Sequence, residues 1–337
     1  MNKTKIVVAV KKTLLWRCIV PSLRSLVEII WRLTYGLKPS LMYILSVRPT
    51  KDNELRKKGV KIFHSDSHFT DFAQRLASQI PEDLIFSEIE KLKSSDDEQN
   101  FMTDISKELD IETRLEILKF ALDEKNIDVI CGYLRFVPRV ATIKVLLNRQ
   151  TDRVALGPQR WHRDWFGYKG INIFCALTDI DEQTGMHSAI GLDSISKYSE
   201  IPTYSNNSSV TPYDRDRVSN ESMLDFIPKV AINELKGPPG TTALVDTSWA
   251  YHKGGHIERG YRLLLEIAYM SEQKPKTSVY PNILEDLGLV STEKLKNIVN
   301  TRVHRYMVSG GGKYEGGAIL HWLSRKLTFY KSVKVKS

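Results

Sequence analysis

The stretch Trp161-His162-Arg163-Asp164-Trp165 decides how this chain is read, together with a distant complement, Tyr251-His252-Lys253-Gly254-Gly255-His256. Side chains on an extended strand alternate between faces, so His162 and Asp164 would point to the same side. A later strand lying beside the first can bring His252 to them. Two imidazoles and one carboxylate then share one face, and three coordination positions around a bound ion stay open.

Outward from these segments the chain has a β-rich texture. Short apolar runs cover residues 129–136, 141–147, 171–177, 241–245 and 261–269. Turns rather than regular helices separate them, which argues against a doubly wound parallel sheet and for a barrel or sandwich. Ahead of them, residues 59–63 read as a strand. Residues 69–79 and 110–123 read as helices, the second with Ile111, Leu115, Leu118 and Leu122 on one stripe behind a capping Asp110. The expected class is mainly β with helical additions and an N-terminal helical extension. Three segments are expected: a basic amphipathic extension over 1–48, a β domain over 49–280 and a helical, basic tail over 281–337. Residues 94–98 and the polar stretch 199–225 read as loops, the latter placed to serve as a binding loop or lid.

The charge is uneven. Residues 1–48 hold nine Lys or Arg against a single acid, Glu28, and residues 301–337 hold eight against one, so the region between is net acidic although the whole chain is +9. A nucleic-acid enzyme would carry positive potential across its active face, and the acidic middle counts against that class. Basic ends fit an anionic membrane surface or an acidic partner. Within the first of them Leu23, Leu26, Val27, Ile30 and Leu33 recur at helical spacing, flanked by Arg24, Arg32, Trp16, Trp31 and Tyr35. Such a helix suits either the headgroup layer or the protein's own body. Charges interrupt it too often for a span, which needs about 20 mostly apolar residues. Cys18, Cys131 and Cys175 form neither a disulfide framework nor a zinc signature, so a cytoplasmic setting is expected, with peripheral membrane contact through the first helix.

Arg262 lies ten residues beyond His252 on the run Tyr261-Arg262-Leu263-Leu264-Leu265-Glu266. A guanidinium fork there could hold the distal carboxylate of a keto acid bidentately. A His-x-Asp, a distal His some ninety residues later and an Arg ten beyond that follow the order expected of a double-stranded β-helix (jelly-roll) oxygenase with non-haem iron(II).

With Ala176-Leu177-Thr178-Asp179-Ile180-Asp181 and Thr184-Gly185-Met186 added to these motifs, residues 59–269 resemble the phytanoyl-CoA dioxygenase family of iron(II)/2-oxoglutarate oxygenases. The resemblance implies that His162, Asp164 and His252 ligate Fe(II), that Arg262 binds 2-oxoglutarate, and that O2 is the oxidant. Asn148 sits where relatives often place an amide donor for the cosubstrate. His256 is a rival third ligand; His252 is preferred because it puts Arg262 at the family's spacing. The implied reaction is hydroxylation of an aliphatic carbon of a small molecule, or of a lipid or sugar moiety, with release of succinate and CO2. Arg163, and Ile190-Gly191-Leu192-Asp193 in place of the usual turn, depart from the family near its substrate pocket, so the substrate does not carry over. The alternative is an inactive jelly-roll binding module at a membrane surface or acidic partner. The other histidines, among them His187, have no partners at ligand spacing and are expected in structural or surface roles.

Overall fold

A computed structural model describes residues 37–47, 52–94, 101–152, 157–164, 169–197, 217–271, 283–290 and 293–308. The helix expected within residues 21–36, most of the loop expected at 94–98, most of the polar stretch 199–225 and the glycine-rich tail fall outside them.

Among the described residues nine strands form two antiparallel sheets. They are β1 (Val60–Phe63), β2 (Met102–Asp104), β3 (Arg139–Arg149), β4 (Gly170–Ala176), β5 (His187–Ile190), β6 (Ile232–Leu235), β7 (Thr242–Val245), β8 (Tyr251–Lys253) and β9 (Tyr261–Met270). The larger sheet has the order β1-β7-β4-β9-β3-β2 and the smaller β6-β5-β8. Isolated antiparallel bridges, Trp161 to Val218 and His162 to His252, extend the smaller sheet. The architecture is therefore the expected one, a mainly β double-stranded β-helix with helical additions.

Parity along β9 shows why these residues make this fold. Leu263, Leu265, Ile267 and Tyr269 belong to the core between the large sheet and the helices, whereas Leu264 belongs to the core between the two sheets. Each aliphatic side chain so buried contributes about 1.5–3 kcal/mol. A one-residue slip would turn that whole row around, so the register is fixed. Arg262 and Glu266 share the parity of Leu264 and so face the space between the sheets. On β3 the same space is faced by Asn148, paired across from Arg262, and by Lys144, paired across from Glu266.

Helices cover the outer face of the large sheet. Ser67–Gln79 starts at Asp66, whose carboxylate accepts from His68 N, and Ile111–Ala121 starts at the expected Asp110, which accepts from Thr113 N. Short helices at Ile283–Asp286 and Arg302–Val308 close the layer, with Ile283, Val303 and Met307 in the same core. Helix Leu37–Ser46 joins that core through Met42.

Residues 129–136 depart from the β reading: they belong mostly to a helix, Glu124–Leu134. Asp123 caps its start through Lys125 N, and Arg135, at φ 62°, ends it by donating its N–H to Cys131 O. Buried Ile127, Ile130, Cys131 and Leu134 recur three and four apart, a helical period that the β-branched content of the run obscured. The acid-to-lysine helix Glu82–Ser94 also went unread.

Candidate metal and cosubstrate site

The smaller sheet brings the residues expected as ligands together. His162 and His252 form a reciprocal antiparallel pair in which each N–H donates to the other's carbonyl at 2.9 Å. Their neighbours Trp161 and Tyr251 point the opposite way, into a separate apolar cluster with Ile190, Val218, Met223 and Ile227. Both imidazoles are thereby turned inward, with ring centroids 4.3 Å apart. The chain leaves the pairing after His162, and Asp164 is fixed by its N–H to Thr247 O at 2.8 Å. Asp164 thus reaches the site from an irregular segment rather than from the strand expected over residues 161–165, of which 165 lies outside the described residues.

One ligand atom from each of His162, Asp164 and His252 lies within 4.8 Å of the others. His162 Nε2 is 3.8 Å from Asp164 Oδ1, and His252 Nε2 is 3.5 Å from Asp164 Oδ2. The opposite ring nitrogens approach backbone carbonyls: His162 Nδ1 is 2.7 Å from Arg160 O, and His252 Nδ1 is 3.4 Å from Ala250 O. A hydrogen on each Nδ1 leaves Nε2 as the free base, which is how a ligating histidine is oriented. His256 is not part of the group.

Electrostatics favours an ion here. Burial drives His162 well below the ordinary imidazole range and His252 down to about 4, so both are neutral donors. Burial raises Asp164 to about 6, opposed by its hydrogen bond to Thr247 and the charge of Arg217. A divalent cation would add to the countercharge at this buried carboxylate. Two neutral imidazoles and one carboxylate on one side suit iron(II) with open positions.

Arg262 stands at the other end of the interior, only 4 % exposed. Its Nη2 donates to Asn148 Oδ1 at 3.0 Å and its Nη1 to Gly185 O, while Nε is buried without a partner. No carboxylate pairs with it among the described residues. Burial alone pulls it down to about 10. A buried, unneutralised guanidinium is costly unless an anion completes it, and a keto acid's distal carboxylate has the right charge and shape. Asn148, expected to hold the cosubstrate, spends its carbonyl oxygen on orienting Arg262.

Sequence reasoning missed a polar chain along the large sheet. Asn172 Nδ2 donates to Glu266 Oε1 at 2.9 Å, and Thr247 Oγ1 donates to Asn172 Oδ1 at 3.2 Å. Burial, then repulsion from Asp164, raises Glu266 to about 7, and Lys144 opposes that shift. The signal for Glu266 was its place four residues beyond Arg262 on one strand, hence on the same face. Asn172 and Thr247 could be found only once the strand register was known.

No family model and no curated protein sequence matches this chain. Among solved structures it is similar to the non-haem α-ketoglutarate-dependent carbocyclase SnoK from nogalamycin biosynthesis, at 16 % identity, 80 % of this chain, 97 % of that one and TM-score 0.40. The α-ketoglutarate-dependent epimerase SnoN of the same biosynthesis gives 12 % identity, 83 %, 92 % and TM-score 0.43. AviO1 from Streptomyces viridochromogenes Tue57 gives 16 % identity, 69 %, 100 % and TM-score 0.39.

Proposed function

We propose that this chain is an iron(II)- and 2-oxoglutarate-dependent dioxygenase that hydroxylates an aliphatic carbon of a small molecule, or of a lipid or sugar moiety, releasing succinate and CO2. The observation that carries it is the convergence of His162, Asp164 and His252 in an interior that also buries the unneutralised Arg262. The motifs that resemble the phytanoyl-CoA dioxygenase family support the same reading.

When bound, iron and 2-oxoglutarate would activate O2 for attack on an unactivated C–H bond, chemistry that no side chain supplies. The protein's part is positioning. His162 and His252 present Nε2 because backbone carbonyls face their Nδ1 atoms, and Asp164 is held by Thr247. Arg262 would fix the far carboxylate of the keto acid and set its reach toward the ion. Glu266 and Lys144 line the large sheet within electrostatic reach of Asp164, with Asn172 holding Glu266, and favour a substrate portion carrying hydroxyl or amino groups. The apolar seal of Trp161, Ile190 and Tyr251 behind the imidazoles keeps water from the back of the ligands.

The test is iron-dependent conversion of 2-oxoglutarate to succinate by protein purified without oxygen. His162→Ala and Asp164→Ala should abolish it, and unchanged turnover in either would sink the assignment.

We also propose that the basic N-terminal region lies against an anionic lipid surface on the cytoplasmic side. On helix Leu37–Ser46, Leu41, Ile44 and Leu45 are 48 %, 71 % and 77 % exposed, an outward apolar stripe beside a strongly cationic segment. Among the described residues no helix is long and apolar enough to cross a membrane. Cys131 and Cys175 are free and buried, in keeping with a reducing compartment.

A further inference from the structure

His187 is a buried polar side chain that the metal site does not use. It is 4 % exposed, and its Nε2 has no hydrogen-bond partner. Leaving such an atom unpaired in the interior costs about 1–3 kcal/mol. Its place is specific. On β5 it shares parity with Ala189, which lies in the core between the sheets, so its ring enters the same interior as the ligands. The ring lies 4.0 Å from Phe174 and 5.8 Å from His252, centroid to centroid. Two residues before it in sequence, Gly185 O accepts the hydrogen bond from Arg262. Burial is the main reason that the ring is neutral, with the neighbouring His252 and then Arg262 acting in the same direction.

A neutral imidazole with an orphan nitrogen, set against one metal ligand and within the field of the anion-binding arginine, marks a hydrogen-bonding station beside the path between the two. We propose that His187 is a positioning residue for the keto-acid cosubstrate, donating from Nε2 to an oxygen of 2-oxoglutarate and so fixing its rotation while Arg262 fixes its far end. This rests on the dioxygenase reading above. His187 does not ligate the ion: it stands outside the group formed by His162, Asp164 and His252.

The experiment measures binding, not turnover. The full-length chain is loaded with Mn(II) in place of iron and titrated with 2-oxoglutarate, following thermal stabilisation and calorimetric heat. His187→Leu should raise the 2-oxoglutarate concentration for half-saturation at least tenfold, with Mn(II) affinity within twofold of wild type. His187→Gln, which restores an N–H donor on a longer stem, should recover much of that loss. Wild-type affinity for 2-oxoglutarate in His187→Leu, or an equal loss in both variants, would overturn the proposal, as would a drop in Mn(II) affinity of the same size. Arg262→Leu separates the two levels of inference. If it abolishes 2-oxoglutarate binding while His187→Leu does not change it, the dioxygenase reading survives and the role of His187 falls. If wild-type protein binds no 2-oxoglutarate at all, both fall.

Discussion

Arg262 illustrates how a single residue exposes the purpose of a cavity. A guanidinium this buried, with one nitrogen unpartnered and no carboxylate beside it among the described residues, is unfavourable alone and favourable once an anion arrives. Arg262→Leu should weaken 2-oxoglutarate binding by about ten- to a hundredfold, from the roughly 1.5–3 kcal/mol of a charged hydrogen bond, while leaving metal affinity intact. Calorimetric titration of the metal-loaded variant checks both. Asp164 gives a pH prediction with a definite proton count. The histidines are already neutral above the depressed values that burial imposes, so only the carboxyl, raised to about 6, must lose a proton for metal to bind. Metal affinity should therefore fall about tenfold per unit below pH 6, with a slope of one proton rather than three, as read by Co(II) titration. Glu266 acts in the opposite sense on stability. Its folded value, about 7, lies above the ordinary 4.5, so the native state binds the proton more tightly and loses stability as pH rises between those values. Glu266→Gln should gain about 1–2 kcal/mol relative to the metal-free wild type between pH 5 and 8, after allowance for partial exposure. Urea unfolding at the two pH values measures it.

At the scale of elements, the loops after His252 and before His187 cross with their backbones in contact. A Cβ on Gly255 would come within 2.4 Å of Gly185 C and 2.5 Å of Met186 N, and Gly185 itself has φ 83°. The crossing sets where Gly185 O meets Arg262, so the loops and the anion seat are one construction. Gly255→Ala should cost about 1–3 kcal/mol of stability through forced backbone shifts and should weaken 2-oxoglutarate binding more than metal binding. Thermal melts and the same titration test this. Elements also show what a sequence conceals. His162 and Asp164 are legible because a single residue separates them. The chain Glu266–Asn172–Thr247 is not, because its members come from β9, β4 and the turn after β7, whose juxtaposition only the fold supplies. Residues 129–136 were misread for a related reason. An apolar run rich in β-branched and aromatic residues fits either period, and the deciding features, the Asp123 cap and the left-handed Arg135, lie at or outside its edges.

For the whole molecule, the sequence conveyed the architecture better than its trimmings, since long apolar strands such as β9 declare themselves by length and composition, whereas short strands such as β5 and β6 carry too few residues to show a period. The charge distribution gives a prediction at this scale. The full chain should co-sediment with vesicles containing phosphatidylserine but not with phosphatidylcholine alone. Ile44→Glu with Leu45→Glu should abolish that binding while leaving the melting temperature within about 2 °C. Binding equal to wild type in the double variant would remove the lipid proposal, and a large fall in melting temperature would mean that the stripe is covered by the protein itself.

The reciprocal backbone pair between His162 and His252 joins points ninety positions apart along the chain. An ion held by both imidazoles would therefore act as a rivet across the seam between them. Withholding iron should loosen that seam before anything else, so amides of β8 and of residues 161–162 should exchange with deuterium faster in the metal-free protein, while those of β4 and β9 stay protected. Metal supply would thus govern the protein's lifetime as well as its chemistry.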